Sequence, residues 1–552
     1  MIYDGPSFGS DTVYYYSLTN LNWNVFGPQV GFNNNHIETR GNNILFSTDY
    51  AIKEYDNNFN ITNNIFQYAF APIESNKSIY GITNEFWIAD RQSGIVKALN
   101  PFNNWTYKLN EPGSINSIRI AAHGESLLIT HGSVTGTNWQ NNFNSEGVSF
   151  FDGRTWYNPN KNNSTAIHPD STFDFLSAAI HPETKGKYYA GTLSNGGLFE
   201  FNQGQVLNRF DEANSTIMPI TAIAGYNMIT DLKFDSESNL WIANAFVDQP
   251  LSVFKNNGQF KRFDCGPSAK NKLITRVYPT EGGIVFMSYP NSGGLLAYKH
   301  NNTIDDTSDD QYKFLGSGTG NGALPNTDVK CVVEDMDKEI WIGSAAGIAV
   351  IYTPNAIFGG GNFDAQQILI EQDGNIQILL ENEVVNCIAI DGANRKWIGT
   401  ENSGVFLISE DGQKQIAHFT KFNSPLPSNQ INDIDIHHKT GEVFFATEIG
   451  VVSYRGTATI EERPFKEVYA FPNPVRPEYN GPIIIKGFDR DSDIKITDIT
   501  GNIVTVIKSE GGQAVWDGKN MKGERVATGV YMVFANSKTG TERAKTKILF
   551  IN

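Results

Sequence analysis

The sequence predicts an all-β protein with a seven-bladed β-propeller, part of a second propeller and a C-terminal immunoglobulin-like β-sandwich. Three observations predict this fold class. The 552 residues include 12% aromatic and only 18% charged residues, with 51 glycines, a balance typical of many strands joined by polar turns. A short hairpin unit recurs along the chain. After residue 455 the pattern changes to short alternating runs separated by Gly, Asn and Asp.

The clearest copy of the recurring unit is DGANRKWIGTENSGVFLIS, from Asp391 to Ser409. An aromatic strand, a turn that contains glycine and an apolar strand are together a hairpin signal. The apolar centres of its relatives follow one another at intervals of about 50 residues, the length of a four-stranded propeller blade. These markers are Phe46, Trp87, Ile129, Tyr189, Trp241, Phe286, Trp341, Trp397 and Phe445.

Nine markers exceed the eight blades that one ring usually holds, so we expect two rings, one of them incomplete. We assign residues 1–355 to a propeller of about seven blades, closed by the strand around Tyr14 to Phe26. Residues 356–460 then hold the remaining blades of a second propeller. Because the chain begins without a charged and then apolar stretch, we expect a leader and further blades to precede it in the natural protein.

Residues 466–552 form the predicted sandwich of about seven strands. This segment has 13 Lys and Arg against 10 Asp and Glu, a net charge of +3. Because the whole chain has a net charge of −16, the other residues together carry −19. An acidic body argues against a nucleic-acid partner. No run of 18 apolar residues is present, so no membrane-spanning helix is expected.

Two of the three cysteines occupy equivalent positions of neighbouring repeats. Cys331 lies ten residues before Trp341, and Cys387 lies ten residues before Trp397. Equivalent positions of adjacent repeats are usually too far apart for a disulfide. We therefore expect small, buried, free thiols.

No catalytic constellation is visible, and no enzymatic activity, cofactor or metal is predicted. The HExxH and GxSxG patterns are absent, and the nine histidines are scattered. Trp105, Trp139 and Trp156 fall in polar loops or outer strands. They could stack on sugar rings, but packing between blades is the favoured interpretation. An anionic glycan would need a local basic patch, for which the candidates are Arg525, Arg543, Lys545 and Lys547.

The last segment resembles the C-terminal sorting domain of the type IX secretion system over its whole length. The residues that carry the resemblance are Pro472, Asn473, Pro474, Gly501, Trp516, Gly518, Gly529 and Tyr531. The resemblance implies export to the periplasm and passage through the outer membrane to the cell surface. The same residues also suit a sandwich whose turns need Gly and Asp or Asn.

The repeats resemble propellers of the two-component-regulator type. Together with the sorting domain, they resemble the two-propeller surface component of the type IX attachment complex. This resemblance implies a non-enzymatic scaffold and adaptor that binds anionic lipopolysaccharide at the outer membrane. Its implied partners are a PorU-like sortase peptidase that anchors secreted cargo, and PorV-like and PorQ-like outer-membrane proteins.

Two other functions are compatible with a propeller. A secreted glycan hydrolase or lyase, exported as type IX cargo, would place clustered carboxylates or histidines at one propeller mouth. The sensor half of a two-component receptor is disfavoured, because neither a membrane span nor a kinase follows the propeller.

Overall fold

In the computed structural model the protein is almost entirely β-structure. The structure describes residues 2–3, 13–17, 19–26, 34–91, 93–107, 109–167, 171–372, 375–460 and 467–551. They belong to two compact units, Met1–Glu111 and Pro112–Asn552. Helix is limited in this part of the chain to α1 (Ala356–Gly359) and a 3₁₀ turn at Pro267–Ala269. None of its helices has the length and apolar character needed to cross a membrane.

The N-terminal unit contains three antiparallel sheets. Two have four strands in sequential order, as in a propeller blade, and one has three. The strands are β1 (Ile2–Tyr3), β2 (Val13–Ser17), β3 (Asn22–Val25), β4 (Asn34–Arg40), β5 (Asn43–Thr48), β6 (Ile52–Tyr55), β7 (Ile61–Ile65), β8 (Ser75–Tyr80), β9 (Phe86–Asp90), β10 (Gly94–Asn100) and β11 (Asn103–Tyr107). Phe26, Phe46 and Tyr55 pack their rings together in its core.

The C-terminal unit begins with seven consecutive antiparallel meanders, which are the blades of one propeller; blades 2 and 3 are joined by a short pairing of β19 with β22. Each blade starts with an inner strand and steps outward along the chain. Blades 1 to 4 comprise β12 (Arg119–His123), β13 (Ser126–Thr130), β14 (Val134–Thr135), β15 (Gln140–Asn141), β16 (Val148–Phe151), β17 (Trp156–Tyr157), β18 (Phe175–Ile180), β19 (Lys187–Ser194), β20 (Leu198–Asn202), β21 (Gln205–Phe210), β22 (Asn227–Phe234), β23 (Leu240–Asn244), β24 (Leu251–Phe254), β25 (Phe260–Phe263), β26 (Arg276–Pro279), β27 (Ile284–Tyr289), β28 (Gly294–Lys299) and β29 (Gln311–Leu315).

Blades 5 to 7 follow the same plan, although blade 7 has three strands. The hairpin β14–β15 in blade 1 and the hairpin β34–β35 after blade 5 are additions to the regular meander. The strands are β30 (Val329–Glu334), β31 (Ile340–Ser344), β32 (Gly347–Ile351), β33 (Gln366–Gln367), β34 (Leu369–Gln372), β35 (Asn375–Ile378), β36 (Val385–Ile390), β37 (Lys396–Thr400), β38 (Val405–Ile408), β39 (Gln415–Phe419), β40 (Ile431–His437), β41 (Glu442–Thr447) and β42 (Gly450–Arg455).

The ring closes between the inner strands of blades 1 and 7, which lie side by side. Asp433 Oδ2 accepts a hydrogen bond from the backbone N–H of Ile120 (3.1 Å), and Asp435 Oδ2 accepts one from Ala122 (2.8 Å). His437 Nε2 lies 2.6 Å from the carbonyl oxygen of Ser126. Side chains of blade 7 thus satisfy backbone groups at the inner edge of blade 1, which would otherwise be unpaired.

This closure corrects the predicted domain boundaries of 1–355 and 356–460. The seven-bladed ring runs from residue 119 to residue 455, and the blade-like sheets outside it precede it in the chain. The strand predicted to close the ring, around Tyr14 to Phe26, instead forms β2 and β3, which pair with each other in the N-terminal unit. Repeated blades look alike in sequence, so the choice of closing pair depends on a few polar side chains that the repeat pattern does not show.

In blades 3, 5 and 6 a hydrogen bond joins the turn before the second strand to the tryptophan of that strand. The indole N–H donates a hydrogen bond to an aspartate six residues earlier, in Trp241–Asp235 (2.9 Å), Trp341–Asp335 (3.2 Å) and Trp397–Asp391 (3.1 Å). The other oxygen of Asp391 accepts backbone N–H bonds from Ala393 (3.0 Å) and Arg395 (3.1 Å). One aspartate therefore holds both the turn and a fully buried indole, so Trp397 is a packing residue.

The glycine of the WIG strand leaves room for the neighbouring blade. A Cβ at Gly399 would lie 2.5 Å from Cys387 Sγ and 2.6 Å from Ile431 of blade 7. Gly343 is in the same situation between blades 5 and 6. Cys331 and Cys387 are buried and free, as predicted, and fill the space beside these glycines.

The C-terminal segment is a β-sandwich of seven strands. Its two sheets, in the orders β43–β44–β47 and β46–β45–β48–β49, share one core that includes Trp516, Tyr531 and Phe550. The strands are β43 (Tyr469–Phe471), β44 (Ile483–Lys486), β45 (Asp493–Thr497), β46 (Ile503–Lys508), β47 (Gln513–Trp516), β48 (Gly529–Asn536) and β49 (Arg543–Phe550). The all-β class and the propeller fold are confirmed.

Candidate functional site

The Pro472-Asn473-Pro474 segment lies along the free edge of β49. The side-chain amide of Asn473 bonds to two backbone groups of β49, as the backbone of a neighbouring strand would. It donates to the carbonyl of Lys547 (2.9 Å) and accepts from the N–H of Leu549 (2.9 Å). Val475 continues the pairing with backbone bonds to Leu549 and Ile551. The segment therefore covers part of an edge strand, which protects it from pairing with other chains.

The other residues that carried the sorting-domain resemblance have structural roles in the sandwich. Trp516 is buried and donates to the carbonyl of Lys519 (2.9 Å), and Tyr531 donates to the carbonyl of Ala527 (2.8 Å). Gly501 and Gly518 have positive φ, and a Cβ at Gly518 would lie 2.9 Å from the ring of Phe550. Gly529 begins β48. These residues build the sandwich.

Three of the four predicted basic residues share one exposed face of the sandwich. Arg543, Lys545 and Lys547 alternate along β49 with partly or fully buried residues, so all three point away from the core. Arg525 is elsewhere: it donates to the carbonyl of Tyr479 (2.8 Å) and its guanidinium lies over the ring of Phe550, on the core side of β49. The predicted basic group therefore consists of three residues on one face and Arg525, which lies on the core side of β49.

The same face also carries two lysines, Lys495 and Lys508, and two exposed apolar residues, Phe534 and Val506, which the sequence analysis missed. Lys545, Phe534, Lys495 and Val506 stand in register across the four strands of the sheet, and all four are exposed. Lys508 lies at its far edge, and Asp493 is the carboxylate paired opposite it. We call this face, with its cations and exposed Phe534 and Val506, the basic sheet face. The alternation of Asp493 and Lys495 with isoleucines along β45 was the signal that could have identified it.

Each of the three candidate tryptophans has its own surroundings. Trp105 is exposed on β11 of the N-terminal unit, opposite Lys97. Trp156 stacks at 5.1 Å on Phe151 and packs in the apolar cluster between blades 1 and 7. Trp139, in the β14–β15 hairpin region, is half-buried, and the guanidinium of Arg119 lies 5.6 Å from its ring centroid. Within the propeller, Trp139 and Trp156 therefore pack in different clusters and form no shared aromatic platform.

The central channel of the propeller is a cavity of about 570 Å³ lined by the first strands of the blades. Near one end of it, the first strands of blades 2, 3, 5, 6 and 7 each place one residue opposite a glycine or alanine of the second strand, and the first strands of blades 1 and 4 place Arg119 and Arg276 opposite Thr130 and Ser288. We call this set the channel layer; its members are Arg119, Ser177, Asp231, Arg276, Cys331, Cys387 and Asp433. The equivalence of the two cysteines was the part of this layer visible in the sequence.

Both carboxylates of the channel layer already have partners within the protein. Arg276 forms an ion pair with Asp433 (2.7 Å) and approaches Asp231 (3.9 Å). The second oxygen of Asp231 accepts the N–H of Val277 (2.9 Å), as Asp433 does from Ile120. Although burial opposes its charge, Asp433 and Asp231 raise the pKa of Arg276, so this arginine is firmly cationic.

Arg119 is a buried cation of a different kind. Its guanidinium donates to the carbonyls of Ile118 (3.1 Å) and Thr275 (3.3 Å), and no carboxylate of the described residues forms an ion pair with it. Its Nε–H is buried and has no protein acceptor in this part of the chain. Burial, and then repulsion from Arg276, lower the pKa of Arg119. A buried charge without a counter-charge is energetically unfavourable.

A second cation, Lys233, lines the channel two residues beyond Asp231, towards the mouth at which the first strands end. Burial opposes its charge, but Asp435 raises the pKa of Lys233 through space without a direct ion pair. Asp435 itself accepts the N–H of Ala122. Glu334 and His438 also line this mouth; burial raises the pKa of Glu334 and lowers the pKa of His438, so His438 is neutral near pH 7.

The sandwich contacts the turns of blades 5 and 6. Arg490 donates to both oxygens of Asp337 (2.6 and 3.4 Å), and Arg395 pairs with Glu510 (3.1 Å). We call these pairs, with the backbone contacts described next, the docking contact. Bidentate arginine–carboxylate pairs set a defined geometry as well as adding energy.

Backbone groups complete the docking contact. The N–H of Gly512 donates to the carbonyl of Thr459 (2.7 Å), and the side chain of Gln513 donates to the carbonyl of Thr457 (2.6 Å). Two glycines permit this approach: a Cβ at Gly392 would lie 2.2 Å from the Thr459 backbone, and one at Gly511 would lie 2.0 Å from its oxygen. The DGAN turn of blade 6 is therefore part of an interdomain surface.

Comparison with known proteins first shows that one repeat matches a known family model. The family model described as the two-component regulator propeller matches residues 323–346, which include the first two strands of blade 5. No curated protein matches the chain.

Solved structures similar to this chain are propeller proteins. One is PorZ, described as an essential bacterial surface component of the type IX secretion system of human oral-microbiomic Porphyromonas gingivalis. It is 21% identical with a TM-score of 0.67, over 98% of this chain and 73% of PorZ. The extracellular domain of a one-component system from B. thetaiotaomicron is 14% identical with a TM-score of 0.34, over 97% of this chain and 84% of that one. At these identities the likeness to PorZ shows the fold.

Proposed function

We propose that this protein is a non-enzymatic, cell-surface component of a type IX secretion attachment complex, similar in role to PorZ. In this proposal it is a scaffold for a PorU-like sortase peptidase and an adaptor that binds anionic lipopolysaccharide. PorV-like and PorQ-like outer-membrane proteins are its further partners. The C-terminal sandwich is a type IX sorting domain that stays attached to the mature protein.

The observation that carries this proposal is the likeness to PorZ over nearly the whole chain, sandwich included. The docking contact supports retention of the sandwich, because Arg490 and Arg395 hold it against the propeller. The basic sheet face supports an anionic, amphiphilic ligand, because it combines clustered cations with exposed Phe534 and Val506 on an otherwise acidic protein.

A pull-down with the tagged, full-length protein from the outer membrane of the producing bacterium tests the scaffold role. We expect PorU-like and PorV-like proteins to co-purify in stoichiometric amounts, since an attachment complex is a lasting assembly. The same tag on the sandwich alone is the comparison. Recovery of neither protein with the full-length chain would contradict the proposal.

Exchanging both Lys545 and Lys547 for glutamine should weaken binding to anionic lipopolysaccharide by about tenfold or more, because each cation near an anionic surface contributes about 1 kcal/mol. The measurement is surface plasmon resonance on immobilised lipopolysaccharide at two salt concentrations. The parent protein should lose affinity as salt rises, and the double variant should lose less.

The matched control replaces Lys519 and Lys522, which lie in the connection between β47 and β48, by glutamine. It removes the same charge without touching the basic sheet face. We expect its affinity to equal that of the parent. Equal losses in both double variants would show that net charge, and not this face, determines binding.

The glycan hydrolase or lyase remains a second candidate, because one observation favours it. The channel mouth holds Glu334, Asp435 and His438, the residue types that this alternative requires. Purified protein incubated with surface polysaccharide of the producing bacterium should release no reducing ends. Release that is abolished by Glu334→Gln or Asp435→Asn would instead establish the enzyme.

A further inference from the structure

We propose that residues 131–147 form a plug that closes the propeller channel at the end that holds the channel layer. The channel is then a pocket with a single entrance, the mouth that Glu334, Asp435 and His438 line. This proposal concerns access to the channel and is independent of the proposed role at the cell surface.

The plug is an insertion in blade 1. It joins the second strand of that blade, β13, to the third strand, β16. In other blades the same connection is a short turn, such as residues 345–346 in blade 5 and 448–449 in blade 7. Because successive strands of a blade are antiparallel, this connection lies at the end of the ring where the first strands begin. The insertion therefore lies at the end that holds the channel layer.

A buried carboxylate fixes the base of the plug. Asp174, directly before β18 of blade 2, is fully buried. It accepts backbone N–H bonds from Ser133 (3.1 Å), Asn142 (3.1 Å) and Phe143 (2.9 Å). Trp139 and Phe143 have φ values of 53° and 58°, a region that bulky residues rarely adopt. Such a backbone persists only where its surroundings over-determine it, so the plug has a defined conformation.

The plug reaches across the ring from blade 1 to blade 4. Asn291, in the connection between β27 and β28 of blade 4, donates to the carbonyl of Thr137 (2.8 Å). Between these two blades, Trp139 packs in an apolar cluster with Leu176 and Met228, from the first strands of blades 2 and 3. The plug thus lies against the inner strands that surround the channel.

Beneath the plug, the arginines of the channel layer narrow the channel. Arg119 of blade 1 donates to the carbonyl of Thr275 at the start of blade 4 (3.3 Å), and Arg276 of blade 4 pairs with Asp433 of blade 7 (2.7 Å). Both contacts cross the ring. The ring centroid of Trp139 lies 5.6 Å from the guanidinium of Arg119, within the range of a cation–π contact. The lining of the cavity runs from this layer to the mouth.

Thiol labelling of the full chain tests the closure. Arg119→Cys introduces a thiol beneath the plug, and mass spectrometry of its peptide separates it from the three native cysteines, which are buried. One probe is N-ethylmaleimide, which is small enough for the cavity of about 570 Å³, and the other is maleimide coupled to dextran, which is too large. We expect only the small probe to label the introduced thiol. Because Arg119→Cys also removes one arginine of the layer, the remaining protection is due to the plug.

Opening the plug should admit the large probe. In the opened variant, two glycines replace residues 134–141 of the Arg119→Cys protein. Asn142 Nδ2 donates to Ser133 Oγ (3.1 Å), so the ends that the glycines join lie side by side. We expect labelling by the dextran reagent to become at least about tenfold faster, because a closed plug suppresses the reaction in proportion to its open population.

Two single substitutions in the Arg119→Cys protein complete the test. Trp139→Ala keeps the hairpin but removes the ring over the channel layer, and it should also speed labelling by the dextran reagent. It keeps the test decisive if the shortened chain fails to fold. Phe143→Ala removes an exposed aromatic ring of the same plug, so it is the matched control and should leave the rate unchanged.

Two results would overturn the proposal. One is that the dextran reagent labels the introduced thiol no faster in the opened variant and in Trp139→Ala than in Phe143→Ala. The other is that N-ethylmaleimide fails to label the thiol while the plug is in place, which would mean that the mouth is not an entrance.

Discussion

Replacing Lys396 by methionine should lower the free energy of unfolding by about 3–5 kcal/mol, because it leaves a buried carboxylate without its counter-charge. Lys396 of blade 6 and Asp335 of blade 5 are fully buried and 2.9 Å apart. The ammonium also donates to the carbonyl of Asn394 (2.8 Å) and lies 4.4 Å from the ring centroid of Trp341. Burial lowers the pKa of Lys396 and Asp335 raises it, so the lysine needs this carboxylate to stay charged. Urea-induced unfolding followed by circular dichroism measures the change.

Two further variants are needed to interpret that result. Lys421→Met, at the surface of the same blade, should be within about 0.5 kcal/mol of the parent. The double variant Lys396→Met with Asp335→Asn should lose less than the sum of the two single changes, because no unpaired charge remains. A Lys396→Met protein as stable as the Lys421→Met control would show that this pair does not hold blades 5 and 6 together.

Replacing Gly392 by alanine should loosen the sandwich from the propeller. The new Cβ would lie 2.2 Å from the backbone of Thr459, which has to move away and give up its bond from Gly512. Such overpacking costs about 1–3 kcal/mol. Hydrogen–deuterium exchange should rise in residues 456–460 and 510–513 and stay unchanged in blades 2 and 3.

The control for this variant is Gly359→Ala in α1, where a Cβ meets no atom within 4 Å. It makes the same chemical change without a clash. We expect its exchange pattern to match that of the parent. Unaltered exchange in Gly392→Ala would mean that the docking contact is looser than its distances indicate.

Much of the fold could be predicted because it depends on local patterns. Trp397 and its relatives marked the blades, since an apolar, mostly aromatic strand beside a polar turn recurs at intervals of about 50 residues. The buried, free cysteines followed from their equivalent positions ten residues before Trp341 and Trp397. The sandwich followed from alternation and turn residues.

Ring closure could not be predicted in the same way. It depends on Asp433 and Asp435 accepting bonds from blade 1, more than 300 residues earlier. Nothing local distinguishes these aspartates from those that cap turns, such as Asp391. The number of blades was therefore visible, whereas the blade that completes the ring was not.

The candidate site was predicted only in part. Arg543, Lys545 and Lys547 share a face because a strand alternates, which the sequence shows. Arg525 was misplaced with them because sequence proximity in a turn does not fix the side on which a side chain lies. The channel layer was missed because it joins single residues from separate blades.

The docking contact also lay beyond the sequence. Arg395 seemed an ordinary turn residue, but its guanidinium pairs with Asp391 in its own turn and with Glu510 in the sandwich. The sequence shows Gly392 only as a turn glycine, whereas in the structure the backbone of Thr459 lies against it. Contacts between domains become visible only in three dimensions.

The intact mass of the protein recovered from the bacterial surface tests the central proposal most directly. A docked, retained sorting domain predicts a mass that includes residues 466–552, on a protein that co-purifies with PorU-like and PorV-like partners. A surface protein cleaved before Pro472, with the sandwich absent, would identify processed cargo and contradict the attachment-complex role.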